Sequence, residues 1–260
     1  MPNAQAIFET GAATHVGRVR ERNEDSYLAR PEMGIWAVAD GMGGHADGDV
    51  ASQTLILALA SIERPASADA LLDLLENSVS QANAQLRELG RERGGVVGTT
   101  VAVLLVFDDY YACVWSGDSR VYMVRDGAIV QLSRDHTEVQ DLLAEGSITA
   151  EEARNWGGRN GVTRAIGVYD KPELEMTSGP LSPGDSFVIC SDGLTNHVGE
   201  DEILRCVSTN LSQQACDALI ALTLERGAYD NVTVIIARYQ PEHATGAGAG
   251  DGPDVREQAK

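Results

Sequence analysis

No run of about 18 apolar residues occurs in the 260-residue chain, so a transmembrane helix is not expected. Met1 to Thr10 has neither a basic stretch nor an apolar one, which argues against a secretory signal and makes the cytoplasm the expected compartment. Positive charge is scarce: 20 Lys and Arg stand against 39 Asp and Glu, a formal net charge of −19. Nucleic-acid binders carry basic surface, so DNA and RNA are not expected partners. Cysteine is sparse too. Cys113, Cys190, Cys206 and Cys216 form no Cys-x-x-Cys pair, which disfavours structural zinc. Lone thiols in apolar runs behave as small buried hydrophobes and fit a reducing compartment. No internal repeat is visible.

What is present is enough apolar material for one core: 43% of residues are hydrophobic, and roughly 250 residues can form a single domain in layered folds. The apolar run from Gly34 to Ala39 reads as a buried strand ending at Asp40 and a glycine-rich turn. A helix follows, with Asp47 or Asp49 as its cap and Ala51, Leu55, Ala58 and Leu59 on one side. Leu71, Leu75, Val79, Ala82, Leu86 and Leu89 recur at spacings of three and four, the pattern of a long amphipathic helix. Strands are predicted over 99–107, 110–115, 120–124 and 128–132, the last two joined at Asp126-Gly127, a hairpin signal. Thr137 with Gln140 and Thr149 with Glu152 both match a capping box, predicting two short helices. Asn155 to Gly161 is glycine-rich and reads as a mobile, substrate-facing loop. A strand at 186–190, helices at 200–207 and 212–225 and a strand at 232–239 complete the order. The Ala/Gly-rich residues 241–260 read as a disordered tail. Hairpins call for antiparallel sheets and helix pairs must cover sheet faces, so the expectation is an α+β fold: a four-layer sandwich of two sheets flanked by helices.

Acidic residues carry the chemistry. Asp40, Asp118 and Asp192 each stand where an apolar strand ends, each followed by Gly or Ser, and Asp230 precedes Asn231 at the start of the last strand. One such aspartate is commonly a turn former. Four of them, with Asn23-Glu24-Asp25, point instead to carboxylates converging at one end of a sandwich, where they repel unless a cation lies among them. Oxygen-only ligands suit Mg²⁺ and Mn²⁺. An acidic protein that handles phosphate also needs such a local positive centre.

The motifs that follow one another along the chain are Val16-Gly17-Arg18-Val19-Arg20 into Asn23-Glu24-Asp25-Ser26, Val38-Ala39-Asp40-Gly41-Met42-Gly43-Gly44, Gly98-Thr99-Thr100, Gly117-Asp118-Ser119-Arg120, Thr163-Arg164-Ala165-Ile166-Gly167, Ser191-Asp192-Gly193-Leu194 and Asp230-Asn231-Val232-Thr233. In this order they resemble the metal-dependent protein phosphatases of the protein phosphatase 2C type, above all the bacterial serine/threonine phosphatase catalytic domains. The resemblance implies a catalytic domain over residues 1–240 that hydrolyses phosphoserine and phosphothreonine in proteins. It implies two Mn²⁺ or Mg²⁺ ions that activate a shared water. Asp40 would bridge them, with the Gly41 carbonyl oxygen on one; Asp192 and Asp230 would hold the first, and Asp25 would support the second with Glu24 nearby. Asp118 with Asp192 would form the third metal site of bacterial members. Arg20 would bind the substrate phosphate, and Asn231 would support the site. The implied partners are phosphorylated proteins and a Ser/Thr kinase that the enzyme opposes; a monomer is expected.

Met42 stands where animal members have a histidine that acts as proton donor. His45 is read as a polar loop residue, and a water at the Asp118 site is the expected donor. His136, in Arg134-Asp135-His136-Thr137, is read as structural. Two other readings compete with the enzyme: a catalytically silent relative that binds a partner or phosphopeptide, and a hydrolase of small phosphate metabolites. Asp25, Asp40, Asp192 and Asp230 are all present, whereas a silent relative would typically lose one of them.

Overall fold

A computed structural model describes residues 7–43, 47–154 and 161–240. Two antiparallel sheets form its centre. The first has the order β1 (Ile7–His15), β11 (Val232–Gln240), β10 (Ser186–Cys190), β7 (Arg120–Arg125), β8 (Ala128–Gln131). The second has the order β2 (Asp25–Arg30), β3 (Ile35–Gly43), β5 (Val101–Phe107), β6 (Tyr110–Ser116), β9 (Glu175–Pro180), and β4 (Val97–Thr99) pairs with the end of β3.

Side-chain alternation explains the layers, because successive residues of a strand face opposite sides. In β3, Ile35, Ala37 and Ala39 face one layer and Trp36 and Val38 the other. In β10, Val188 and Cys190 part from Phe187 and Ile189 in the same way. Trp36, Leu104, Trp115, Phe187, Ile189 and Ile235 fill the space between the sheets. Helices α1 (Gly48–Ala60) and α2 (Ala68–Arg93) cover the second sheet with Leu55, Leu59, Leu71, Leu75 and Leu86. On the first sheet, α6 (Glu200–Thr209) and α7 (Ser212–Glu225) lay down Ile203, Val207, Cys216 and Leu219. Both central sheets are thus covered on both faces, which is why their inner strands read as continuous apolar runs. The four-layer expectation holds. No described helix is long and apolar enough to cross a membrane.

Three strands escaped the sequence reading apart from short β4: β1, β2 and β9. All are sheet edges, where one side lacks a pairing partner and the composition is mixed. Asp126 and Gly127 both adopt positive φ, 52° and 76°, and make the expected hairpin between β7 and β8. The run predicted to stop at Asp40 continues to Gly43, because Gly41, Met42 and Gly43 pair with Thr99, Gly98 and Val97.

Capping divides. Before α4 (Ala150–Arg154), Thr149 Oγ1 accepts from the Glu152 N–H at 3.2 Å and Glu152 Oε2 accepts from the Thr149 N–H at 2.8 Å, the reciprocal box expected. Before α3 (Glu138–Ala144), Thr137 makes no cap bond; its backbone is bridged to Val162, and its hydroxyl is buried without a partner among the described residues. Asp47 precedes α1, yet its carboxylate faces Arg93 at 3.8 Å rather than the helix start. The loop predicted over 155–161 is described only at Gly161, and Gly44, His45 and the tail 241–260 lie outside the described residues.

Trp36 is fully buried between the sheets and donates its indole N–H to Thr10 Oγ1 at 3.1 Å. Trp36→Ala should therefore lower unfolding free energy by about 3–5 kcal/mol, read from the midpoint of a urea titration at constant m-value. A loss under about 1 kcal/mol would place the inter-sheet layer elsewhere.

Candidate metal centre

The strand pairing itself starts the site. Asp25, the first residue of β2, stands directly opposite Asp40 on β3. The backbone around Asp40 is fixed from the β4–β5 junction: Thr100 N–H donates to its carbonyl at 2.8 Å, Thr99 Oγ1 to the same oxygen at 3.0 Å, and its own N–H to Thr100 Oγ1 at 3.1 Å. Gly41 allows the packing there. A Cβ on it would lie 1.9 Å from the Gly48 carbonyl oxygen and 2.8 Å from that of Glu24, so no larger residue fits this close approach.

From the other sheet come Asp192 and Asp230. Asp192 opens the single turn α5 (Asp192–Thr195) just beyond β10, and Asp230 lies just before β11. The sheets are tied together here by Ser191, whose hydroxyl donates to Asp25 Oδ2 at 2.7 Å and accepts from the Thr233 N–H at 3.0 Å. Asp118 sits in the crossing from β6 of one sheet to β7 of the other and is buried. All five aspartates singled out in the sequence therefore meet at one end of the sandwich.

Their electrostatics follow from burial among like charges. Asp25 is pushed up to about 7, first by desolvation and then by Asp192 and Asp230, against hydrogen bonds from Ser191 and Thr233. Desolvation also lifts Asp118 to about 7, with Asp192 and Asp135 adding to it. Asp40 is half-buried by surface area, but protein crowds its carboxylate. Desolvation and then Asp25, Asp192, Asp118 and Asp230 hold it well above the usual carboxylate range. Asp192 is raised by burial and by Asp230.

Each outer carboxylate has its own donor: Asp192 Oδ2 accepts from Asn196 Nδ2 at 3.0 Å, and Asp230 Oδ2 pairs with Arg20 Nη2 at 2.8 Å. Accordingly, no three acidic, His or Cys side chains among the described residues close on one point as a finished ligand set. Asp25 Oδ1, however, is buried with no hydrogen-bond partner among them. A buried, unpaired carboxylate oxygen surrounded by like charges is the environment that a hard cation satisfies. The donor set fits Mg²⁺ or Mn²⁺.

The remaining expected residues also gather here. Arg20 is about half-exposed, and its guanidinium is made more basic chiefly by the hydrogen bond to Asp230. Asn231 is a clamp: its Nδ2 donates to the Val16 and Arg22 carbonyls, both at 2.8 Å, and its Oδ1 accepts from the Glu24 N–H at 2.8 Å. It fixes the segment that carries Arg20, Glu24 and Asp25. The Glu24 carboxyl, raised mainly by burial, accepts a bond from the Gly48 N–H. Sequence reasoning assigned no role to Ser191, Thr233, Thr100 or Asn196. Their only signal is that the first three lie inside the motifs, next to or near an acid.

His15 Nδ1 accepts from the Gly17 N–H at 2.9 Å, a loop contact. His197 packs on Tyr229 with ring centroids 4.6 Å apart.

The sequence profile described as Protein phosphatase 2C matches residues 12–232. The chain is 36% identical over 241 residues to the serine/threonine protein phosphatase PstP of Mycobacterium tuberculosis, covering 91% of this chain and 46% of that protein. It thus spans about half the length of that mycobacterial relative. It is 34% identical over 236 residues to the serine/threonine phosphatase stp of Listeria innocua, covering 86% and 92% of the two chains. The crystal structure of the PstP catalytic domain in complex with two manganese ions superposes with a TM-score of 0.81 at 35% identity, covering 91% of this chain and all of that one. With the profile spanning most of its length and the fold shared, the chain belongs to the protein phosphatase 2C family.

Proposed function

We propose that this chain hydrolyses phosphoserine and phosphothreonine in proteins, with divalent cations held by Asp25, Asp40, the Gly41 carbonyl, Asp192 and Asp230, and a further one by Asp118 with Asp192. The observation that carries this reading is the convergence of five aspartates at one end of the sandwich, Asp25 and Asp118 of them buried, with Asp25 Oδ1 left unpaired. The two manganese ions of the PstP structure support the choice of metal. Bound there, two such ions would lower the pKa of a shared water toward neutrality and offset phosphate charge.

The chain's own residues then divide the work. Asp40 is in electrostatic reach of each of the other four acids, which supports reading its carboxylate as the one that would serve two cations. Arg20 offers a forked, permanently charged donor at the solvent edge of the acids, where a phosphate dianion would exchange with Asp230 for it. Its grip orients phosphorus for attack in line with the leaving serine or threonine oxygen and counters charge as it develops. Asn231 holds the segment that carries Arg20 and Asp25 through its three hydrogen bonds.

The expected substrates are phosphorylated proteins, with a Ser/Thr kinase and its targets as partners; the printed activity of the relatives supports the substrate class. Residues 1–240 are read as one catalytic domain, which the profile match over 12–232 supports. A reducing, cytoplasmic setting agrees with four free cysteines, three of them buried, with Cys190 and Cys216 pushed up to about 12 by burial.

A phosphothreonine peptide should be hydrolysed with Mn²⁺ and left intact with excess chelator. Asp192→Asn and Arg20→Ala should each lower kcat/KM by at least about 10²-fold. Metal-independent turnover, or full activity in Asp192→Asn, would refute the proposal; binding without turnover would mark a silent phosphopeptide binder.

Stability should respond to pH in a definite direction. Burial and neighbouring acids keep the Asp25 and Asp118 carboxyls protonated to about pH 7 in the fold, against 3.8 for an ordinary aspartate. Folded protein then holds protons that the unfolded chain has released, so stability falls as pH rises through that window. In chelator the melting temperature should drop between pH 5 and pH 8. Added Mn²⁺, which needs the ionised carboxylates, should raise it more at pH 8 than at pH 5. The reverse order at either step would contradict the carboxylate assignment.

A further inference from the structure

His136 has no place in the chemistry above, yet it is completely buried. Its ring faces the loop that carries Asp118. The Gly117 N–H donates to His136 Nδ1 at 3.1 Å, and the His136 N–H donates back to the Gly117 carbonyl at 2.9 Å. With Nδ1 accepting, the ring proton resides on Nε2, which points at Glu175 Oε1, 3.3 Å away. Glu175 is itself held by Arg164 Nη1 at 2.7 Å, and Arg134 lies 3.4 Å from the same oxygen. Trp115 stacks on the ring, centroids 6.2 Å apart at 25°. The His136 carbonyl accepts from the Thr163 N–H at 2.8 Å. Every edge of this imidazole is therefore engaged, and only one engagement reaches the acid cluster.

Gly117 sits at φ +112°, where a residue with a side chain would be strained and where its peptide needs an external partner to hold its direction. On the other side of Asp118, Ser119 Oγ lies 2.8 Å from Thr100 Oγ1, the atom that accepts from the Asp40 N–H. Asp118 is thus anchored downstream to the Asp40 strand and upstream to His136. From this geometry we infer that His136 is a positioning residue for Asp118: its Nδ1, by accepting from Gly117, sets the aim of the Asp118 carboxylate toward the ion shared with Asp192. The inference rests on the reading of Asp118 as a metal ligand. It does not involve Asp25, Asp40 or Asp230, whose backbones are held by other groups.

The test is calorimetric titration of Mn²⁺ into the full chain, with a melting curve in chelator to confirm folding. Asp118→Asn should abolish the weakest Mn²⁺ step and His136→Phe should weaken it by about 10–100-fold, as loss of a group that orients a metal ligand does elsewhere, both sparing the tighter steps. His136→Asn, whose amide oxygen can stand where Nδ1 stands, should stay within about 3-fold of wild type. A wild-type isotherm for His136→Phe, with the weak step lost in Asp118→Asn, overturns the role of His136 alone. Equal losses in His136→Asn and His136→Phe also overturn it, because the acceptor is then not what matters. A wild-type isotherm for Asp118→Asn removes the Asp118 reading and the inference with it. If His136→Phe does not fold, His136→Asn must keep the weak step and His136→Gln, which places its amide at Nε2 and leaves Gly117 unpaired, must lose it; equal isotherms for these two overturn the proposal.

Discussion

Repulsion among buried carboxylates is the constraint around which the end of this sandwich is organised. Desolvation and mutual charge raise Asp25, Asp40, Asp118 and Asp192 together, and no fold would gather them for stability alone. The rest of the molecule holds them in place. Two sheets with buried layers on both faces give rigid strand ends, and rigid elements place functional groups more accurately than free loops do. What the acids cost in folding is offset by about fifty buried apolar side chains in three layers, Trp36, Tyr122 and Phe187 being the largest of those fully buried.

Neutral hydrogen-bonding residues settle the details. Ser191 ties the Asp25 carboxylate to the opposite sheet, Thr100 and Ser119 link the Asp40 strand to the Asp118 turn, and Asn231 fixes the segment with Arg20. None adds charge to a centre that already has too much of one sign. Arg20 and Arg120 are the nearby cations. Arg120 is committed to Asp135 through two bonds of 2.8 and 2.6 Å, while Arg20 stays at the solvent edge with one acid partner. That difference in exposure and commitment separates a structural arginine from one able to take a phosphate.

Much of this was legible in the residues. The interior strands β3, β5, β10 and β11 were visible because both faces are buried, and α2 because its apolar residues recur at helical spacing. The edge strands β1, β2 and β9 were not, since only Gly11 and Asp25 among their residues are buried. The Thr149 cap followed from local spacing alone, whereas Thr137 obeyed the same local rule and failed it, its backbone being drawn to Val162. Local rules succeed where no distant segment competes.

The same division holds for the site. The sequence alone determined which residues could carry charge at strand ends, because Asp followed by Gly or Ser after an apolar run is a short-range pattern. It also determined the acidic balance that makes a cation necessary for phosphate chemistry. Only the tertiary structure decided that Asp25 faces Asp40 across a strand pair, that Ser191 reaches Asp25 from 166 residues away, and that His136 grips Gly117. Register and sheet-to-sheet packing set those contacts. They depend on the summed burial of the whole core and not on any neighbouring residues in the chain.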